Sequence, residues 1–289
     1  MTERAKIDYF TEAGSVDAVN ARMSPDTDAR TRRVMESLVG HLHAFIKDVE
    51  LSREEWALAI EFLTRTGQMC DGNRQEFILL SDVLGASMLV DAIATRRPDG
   101  ATENTVLGPF HVEGAPEYEM GASITKAGGE ETCLFEGTVT DLDGRPVEGA
   151  RIDVWSDNED GFYDVQQPDV QPAFNNRGIF TTGPDGRYAF RGIRPVSYPI
   201  PDDGPVGQLL GRLGRHPYRP AHMHFIVSAD GYQTVITHTF VDGDEYLTSD
   251  AVFGVKETLI ASFEPAMNGE TKWRSGFDFV LAPLNREPA

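Results

Sequence analysis

The sequence predicts an α+β protein in which an N-terminal helical domain precedes an antiparallel β-sandwich. Apolar residues recur at the helical period through the first hundred residues. From about residue 130, short runs with strand character alternate with turn signals instead, which is typical of a sandwich. We therefore expect a helical domain over residues 1–105 and a β-sandwich domain over residues 106–289.

Three helices are expected in the first part. The first covers residues 28–50 and carries an apolar stripe, and the second follows a capping box at Ser52 and Glu55 and ends near Gly67. The third covers residues 77–93 and is apolar on nearly every face. Such a helix is buried, either in a core or against a partner subunit. The apolar stripe of the first helix consists of Val34, Leu38, Leu42, Phe45, Ile46 and Val49.

Six runs in the second part have strand character. The stretch 199–220 is rich in proline and glycine, and we interpret it as a covering loop. The predicted strands are Leu134–Val139, Ile152–Trp155, Tyr188–Phe190, His222–Val227, Val235–Val241 and Phe277–Leu281.

Composition excludes several classes of protein. The 289 residues carry 46 acidic and 26 basic side chains, a net charge of −20, which argues against binding to nucleic acid or to acidic membrane surfaces. No stretch approaches the roughly 18 apolar residues of a membrane span, and the N-terminus lacks the apolar run of a signal peptide. The two cysteines, Cys70 and Cys133, suit free thiols in a reducing cytoplasm.

The segment His222-Met223-His224 is the strongest functional signal. Residues two apart on a strand point to the same side, so both imidazoles can reach one metal ion. Tyr163 and Tyr198 lie upstream, each framed by glycine or proline. A single histidine or tyrosine in such a setting is usually a packing residue, but the four together indicate a metal site with phenolate ligands.

The two tyrosines indicate which kind of metal is expected. Phenol has a pKa near 10, so it becomes a good ligand at neutral pH only beside a strong Lewis acid. Fe(III) meets that need, because two phenolates and a hydroxide cancel its charge in a pocket of low dielectric constant. Soft, thiolate-seeking metals would find no suitable cysteine pair.

The order Tyr163, Tyr198 and Arg219-Pro220-Ala221-His222-Met223-His224 resembles the intradiol ring-cleavage dioxygenases. These non-haem Fe(III) enzymes split a catechol ring between its hydroxyl-bearing carbons with O2. The resemblance covers most of the chain, including Gly137-Thr138-Val139 and Trp155. It implies one Fe(III) per subunit, held by Tyr163, Tyr198, His222 and His224. It also implies that Tyr198 is displaced by the substrate and that Arg219 stabilises negative charge on the ring.

Further segments resemble the hydroxyquinol-cleaving branch of that family, which implies hydroxyquinol as the substrate and 3-hydroxy-cis,cis-muconate or maleylacetate as the product. His238 stands where the family often has glutamine, and a catalytic role is expected for it. The helical domain resembles that of homodimeric relatives that hold a phospholipid, so a homodimer and a bound phospholipid are expected. The pocket wall implied by the resemblance consists of Leu79, Asp82, Val106, Leu107, Gly108, Pro109, Phe110, Ile200, Pro201 and Val252.

Several alternatives stay open at the level of sequence. The substrate could be catechol, a chlorocatechol or a methylcatechol instead of hydroxyquinol. Asp82 could accept a hydrogen bond from a third ring hydroxyl, or it could satisfy a neighbouring donor within the protein. A cupin-type site would need a carboxylate ligand soon after His224, which the sequence lacks. A transthyretin-like binding module would share the sandwich without being an enzyme.

Overall fold

The computed structural model describes residues 9–72, 74–267 and 269–284. The chain forms two compact units, residues 1–65 and 66–289. The predicted boundary between a helical dimerisation domain and a catalytic domain, at residues 105 and 106, is not tested by this division and stays a prediction.

Helices make up the first unit, and the third of them ends just beyond it. The second helix begins where the Asp28 carboxylate accepts a hydrogen bond from the backbone N–H of Thr31 at 2.9 Å. The capping box at the third helix is confirmed, because Ser52 N–H donates to Glu55 Oε2 and Glu55 N–H donates to Ser52 Oγ. These helices are α1 (Ser15–Asn20), α2 (Ala29–Asp48) and α3 (Arg53–Gln68).

The prediction of one helix over residues 77–93 is wrong, because two helices lie there: α4 (Glu76–Val83) and α5 (Ala86–Ala94). Gly85 adopts a left-handed φ of 72°, which ends the first helical run, and the two helices meet at 79°. None of the described helices alone is long and apolar enough to cross a membrane, and this bent pair meets that criterion only jointly, by length and composition.

Two five-stranded sheets and one two-stranded sheet form the β-sandwich, which confirms the predicted fold class. One sheet has the order β10-β11-β1-β12 with β4 also paired to β1, and the other has the order β3-β2-β7-β8-β9. Most pairs are antiparallel, but β1–β11, β1–β12 and β8–β9 are parallel. The strands are β1 (Thr132–Asp141), β2 (Arg151–Trp155), β3 (Arg177–Thr181), β4 (Arg187–Ile193), β5 (Tyr198–Pro199), β6 (Tyr218–Arg219), β7 (His222–Ser228), β8 (Val235–Val241), β9 (Ile260–Ala261), β10 (Phe263–Pro265), β11 (Trp273–Gly276) and β12 (Phe279–Leu281).

The main hydrophobic core draws on both five-stranded sheets, with Phe135 and Phe190 from one and Phe180 and Phe225 from the other. On β7, Met223 belongs to this core together with the other odd-numbered residues of the strand. Because strand side chains alternate, the even-numbered His222 and His224 are left for the opposite face.

The proline- and glycine-rich stretch 199–220 contains a helix, α6 (Pro205–Arg212), that the sequence interpretation missed. Pro205 stands at its first turn, where a missing backbone N–H costs nothing. Val206 and Leu210 on this helix pack into a second apolar cluster with Ile200 and Val252. The stretch therefore covers part of the β domain, as expected, but with ordered structure.

Candidate metal centre

Three histidines come together on the face of the β3-β2-β7-β8-β9 sheet that does not join the main core. His222 and His224 lie on β7, and His238 lies on β8, directly opposite His224 in the antiparallel register. All three are at most 2% exposed. One ligand atom from each lies within 4.8 Å of the others, so the group could hold a metal ion.

A turn in front of a short 3-10 helix brings Tyr163 to this cluster. Its backbone N–H donates to Gln166 Oε1 at 2.9 Å, and the ring of Phe110 stacks on it with 4.5 Å between centroids. Gly161 has a φ of 80°, and a Cβ there would lie 3.0 Å from the Cβ of Tyr198. Glycine is therefore needed for two reasons, the backbone conformation and the close approach of this turn to Tyr198.

The two-stranded sheet of β5 and β6 supplies the second tyrosine. Tyr198 pairs with Arg219 in its register, so both side chains reach the cluster from the same short sheet. Arg219 Nη1 lies 3.3 Å from His222 Nε2, and the arginine is 4% exposed. The structure thus brings together Tyr163, Tyr198, Arg219, His222 and His224, as the sequence predicts.

Four donor atoms converge at this point. Tyr163 Oη lies 2.9 Å from His224 Nε2 and 3.4 Å from Tyr198 Oη, and Tyr198 Oη lies 3.4 Å from His222 Nε2. Ligands held about 2.0–2.2 Å from one ion at near-tetrahedral or square angles are separated by about 3 Å, so this spacing suits a shared ion. His222 Nδ1 lies 2.7 Å from the carbonyl oxygen of Pro220, which leaves Nε2 as the ligand atom. The residues present therefore fit a metal.

Burial shifts the pKa of the histidines and the pKa of the tyrosines in opposite directions. Burial lowers the pKa of all three histidines well below the ordinary value, so the rings are neutral, the form that binds metal. Burial raises the pKa of Tyr163 and Tyr198, and the guanidinium of Arg219 opposes that rise at Tyr198. Phenolates here thus require a nearby cation of high charge, which is the condition that favours Fe(III).

His238 has one free nitrogen facing a buried environment. Its Nδ1 lies 2.7 Å from Thr105 Oγ1, whereas its Nε2 is buried with no hydrogen-bond partner in the described part of the chain. Its ring stands 4.2 Å from that of His224, centroid to centroid. His238 is therefore either a residue acting beside the metal, as the sequence analysis expects, or a further ligand.

The expected pocket residues fall into two groups. Leu79, Ile200 and Val252 share the apolar cluster that α6 joins, and Pro201 follows Ile200 in the chain. Gly108 lies against the metal-ligand cluster, because a Cβ there would be 3.1 Å from His224 Cε1. The remaining expected residues flank it in sequence: Val106, Leu107, Pro109 and Phe110.

Asp82 is half-buried on α4. Burial raises the pKa of its carboxyl, while a hydrogen bond from Ser87 and the charge of Arg219 oppose that rise. The internal hydrogen bond with Ser87 fits the alternative in which Asp82 satisfies a neighbouring donor. Both roles considered for Asp82, contact with a ring hydroxyl and an internal hydrogen bond, therefore stay open.

Sequence reasoning missed three residues that contact the cluster. The indole of Trp155 stacks on His224, with 4.6 Å between centroids and 15° between planes. Asp250 pairs with Arg219 at 3.3 Å, and Thr105 bonds His238. The pairing of β2 with β7 sets Trp155 opposite His224. Only a strand order, which the sequence does not supply, would have shown that contact.

Comparison with known proteins agrees with this geometry. The sequence model of the family described as "Dioxygenase" matches residues 106–283, and that of "Catechol dioxygenase N terminus" matches residues 28–102. The chain is 55% identical over 284 residues to a hydroxyquinol 1,2-dioxygenase of a Rhizobium species, a match covering 95% of this chain and 96% of that one.

Two further relatives extend the likeness. A 6-chlorohydroxyquinol 1,2-dioxygenase of Cupriavidus pinatubonensis is 53% identical, over 92% of this chain and 95% of that one. The crystal structure of a hydroxyquinol 1,2-dioxygenase from Pseudomonas putida superposes with a TM-score of 0.90 at 45% identity, covering 94% of this chain and 98% of that one. The chain therefore belongs to the intradiol ring-cleavage dioxygenases, a family of non-haem iron enzymes.

Proposed function

We propose that this protein is a hydroxyquinol 1,2-dioxygenase. It cleaves the ring of benzene-1,2,4-triol between the two adjacent hydroxyl-bearing carbons with O2, which gives 3-hydroxy-cis,cis-muconate or its tautomer maleylacetate. The observation that carries the proposal is the convergence of Tyr163, Tyr198, His222 and His224, whose donor atoms lie 2.9–3.4 Å from a neighbour in the set. The names of the relatives at 45–55% identity support the choice of hydroxyquinol.

These four residues would hold one Fe(III) per subunit. When bound, the ferric ion would supply the charge that keeps both phenols ionised and would make the coordinated ring reactive towards O2. The protein provides two negative and two neutral donors for it, all buried, with Pro220 fixing the tautomer of His222.

Of the two tyrosines, Tyr198 is the one that would give up its place to the incoming substrate and accept a proton from it. It is 8% exposed, whereas Tyr163 is fully buried and wedged under Phe110. Arg219 stands beside it and remains charged throughout the reaction, because its guanidinium keeps its proton at any working pH. We assign Arg219 to stabilising negative charge on the ring, since its donors are fixed and buried, where such contacts are strongest.

The proposed pocket wall would accept a third ring hydroxyl. Leu79, Ile200 and Val252 provide apolar contact for the flat ring. Asp82 interrupts that wall with a carboxyl that could accept a hydrogen bond from the 4-hydroxyl of hydroxyquinol. A buried acceptor left without a partner penalises a substrate that lacks the hydroxyl, so Asp82 would favour hydroxyquinol over catechol.

The test is a visible spectrum of the pure iron-loaded protein, before and after hydroxyquinol is added without O2. Phenolate bound to ferric iron gives a charge-transfer band, and substrate binding should shift it. O2 should then yield the ring-opened acid, with kcat/KM highest for hydroxyquinol. A higher kcat/KM for catechol or a chlorocatechol would contradict hydroxyquinol as the substrate but not the ring-cleavage reaction. A colourless, iron-free protein would contradict both the substrate and the reaction.

The helical unit supports two further parts of the proposal, a homodimer and a bound phospholipid. On α2, the apolar stripe is exposed in the single chain, with Leu38 at 54% and Phe45 at 54%. Exposed apolar surface of this extent marks a site of association. We also place the enzyme in the cytoplasm, because Cys70 and Cys133 are both free thiols.

A further inference from the structure

One carboxylate ties Arg219 to the loop of residues 250–254. The side chain of Asp250 is 2% exposed, and its Oδ1 accepts a hydrogen bond from Arg219 Nε at 3.3 Å. The same Oδ1 accepts from the backbone N–H of Val252 at 3.2 Å, and Oδ2 accepts from the backbone N–H of Gly254 at 2.8 Å. A single buried group therefore joins the guanidinium to the backbone of the loop.

The bond at Nε decides where the rest of the guanidinium points. Nη1 lies 3.3 Å from Nε2 of His222, a proposed iron ligand. Nη2 is buried and has no hydrogen bond of acceptable geometry within the described residues. Because the guanidinium is planar and rigid, fixing Nε against Asp250 also fixes the direction of Nη1, the group that lies against the metal-ligand cluster.

The loop is itself held in place by further contacts, so it can fix the position of Arg219. Arg215 donates from Nη1 to the carbonyl of Val83 at 2.6 Å and from Nη2 to the carbonyl of Ala251 at 2.8 Å. The same guanidinium lies 4.7 Å above the ring of Phe253, which has a φ of 60°. A bulky residue keeps such a backbone conformation only where the surroundings enforce it.

Gly254 lies against the same guanidinium, on the side of Asp250. A Cβ at this position would lie 2.9 Å from Arg219 Nη2 and 3.1 Å from Asp250 Oδ2. Any side chain at residue 254 would therefore push the guanidinium away from its present direction, without removing the carboxylate that holds it.

We propose that Asp250 is a positioning residue for ring cleavage, acting only through Arg219 by aiming its Nη1 at the metal-ligand cluster. The inference rests on the proposed function and on the role of Arg219 in it. Asp250 needs no contact with the substrate, since its carboxylate is occupied by the arginine and the loop backbone.

The experiment uses the iron-loaded full chain. Asp250→Asn and Gly254→Ala are each made alone and combined with Arg219→Ala, and iron content, resting spectrum and kcat/KM for hydroxyquinol are measured. Either single change should lower kcat/KM on the order of 10²-fold, with the resting spectrum kept, because the reacting groups are misaligned while the proposed ligands are intact. In the Arg219→Ala background neither change should lower it further.

Asp141→Asn is the matched control. It makes the same change at a carboxylate whose Oδ1 accepts two backbone N–H groups, from Asp143 at 2.8 Å and Arg145 at 2.9 Å, but at the end of β1. Its kcat/KM should stay at the wild-type value.

Three results would overturn the proposal: a folded Asp250→Asn with wild-type kcat/KM, a folded Gly254→Ala with wild-type kcat/KM, or a loss of equal size in the Arg219→Ala background. If Asp250→Asn fails to fold, Gly254→Ala decides by the same criteria, because it leaves the carboxylate in place. Wild-type protein that fails to cleave hydroxyquinol contradicts the proposed function instead, and the same variants are then compared with the ring substrate that is cleaved.

Discussion

The buried hydroxyl oxygen of Tyr163 is central to the proposal of a metal site with phenolate ligands. Its Oη lies 2.9 Å from His224 Nε2, in an interior where burial raises the pKa of the phenol well above its ordinary value. Such a group ionises only against a strong positive charge. Its other hydroxyl contact is with Tyr198 Oη at 3.4 Å, a second proposed ligand, while Phe110 stacks on the face of the ring.

Tyr163→Phe should therefore abolish both the charge-transfer colour and the activity, because one of the two phenolates is lost. The measurements are the visible spectrum, the iron content and hydroxyquinol turnover. Tyr188→Phe is the control, since Tyr188 is also buried but donates its hydroxyl to the Phe277 carbonyl at 2.7 Å, away from the cluster. A coloured, active Tyr163→Phe protein would remove Tyr163 from the ligand set.

His238→Gln separates the two roles left open for His238. We expect the variant to keep its iron and its colour, because the four proposed ligands are untouched, and to lose activity by about 10²-fold if the imidazole assists proton transfer. Iron analysis and single-turnover kinetics give the answer. Loss of iron from a folded variant would show instead that His238 is a ligand, as the three-histidine grouping allows.

At the scale of elements, α4 and α6 are joined by a buried carboxylate. Glu76 is fully buried at the start of α4, where it accepts from Arg74 Nε at 2.9 Å and from the backbone N–H of Val206 at 3.1 Å. Val206 is the second residue of α6 and belongs to the apolar cluster with Ile200 and Val252. The wall of the proposed pocket thus depends on how these two helices are held together.

Glu76→Gln should lower the free energy of unfolding by about 1–3 kcal/mol, because a buried charge-assisted hydrogen bond to Arg74 is weakened. It should also raise KM for hydroxyquinol more than it changes kcat, since the wall and not the metal is disturbed. Chemical denaturation and steady-state kinetics test both. Asp143→Asn breaks an exposed pair with Arg145 and should change stability by less than about 1 kcal/mol; an equal loss in both variants would contradict a special role for Glu76.

The helix break at Gly85 belongs to the same scale. The apolar run from Phe77 to Ile93 satisfies a helical pattern throughout, so sequence periodicity gave no reason to divide it. The division depends on a left-handed glycine whose ideal Cβ position lies 3.5 Å from the ring of Phe253. That aromatic ring comes from a loop 168 residues further along the chain, which no local pattern reveals.

At the scale of the whole molecule, the apolar stripe of α2 is an extended exposed surface. Its members are between 37% and 54% exposed, in helical register with one another: Val34, Leu38, Leu42, Phe45, Ile46 and Val49. A stripe of this kind on a chain of net charge −20 is best explained by a partner of the same sequence or by lipid tails.

Leu42→Glu should convert the proposed homodimer to monomers, because a charge would be desolvated in an apolar interface. Light scattering after size-exclusion chromatography measures the mass directly. Ala44→Glu adds the same charge on a different side of α2 and should leave the dimer intact. A wild-type protein that is already monomeric, or a dimer unaffected by Leu42→Glu, would refute the proposed interface.

The sequence by itself determined the class of fold, the capping box at Ser52 and the four metal-ligand candidates. Each rests on a local period or spacing: the helical stripe, the alternation of strands, and two histidines separated by one residue. The identity of the metal could also be argued early, because the chemistry of phenol does not depend on the fold.

Only the tertiary structure decided how distant segments meet. It set Trp155 under His224, joined Asp250 to Arg219 and folded a helix into the stretch that the sequence presented as a loop. The physical reason is that these contacts follow from strand order and loop path, which long-range packing selects and which leave no period in the local sequence.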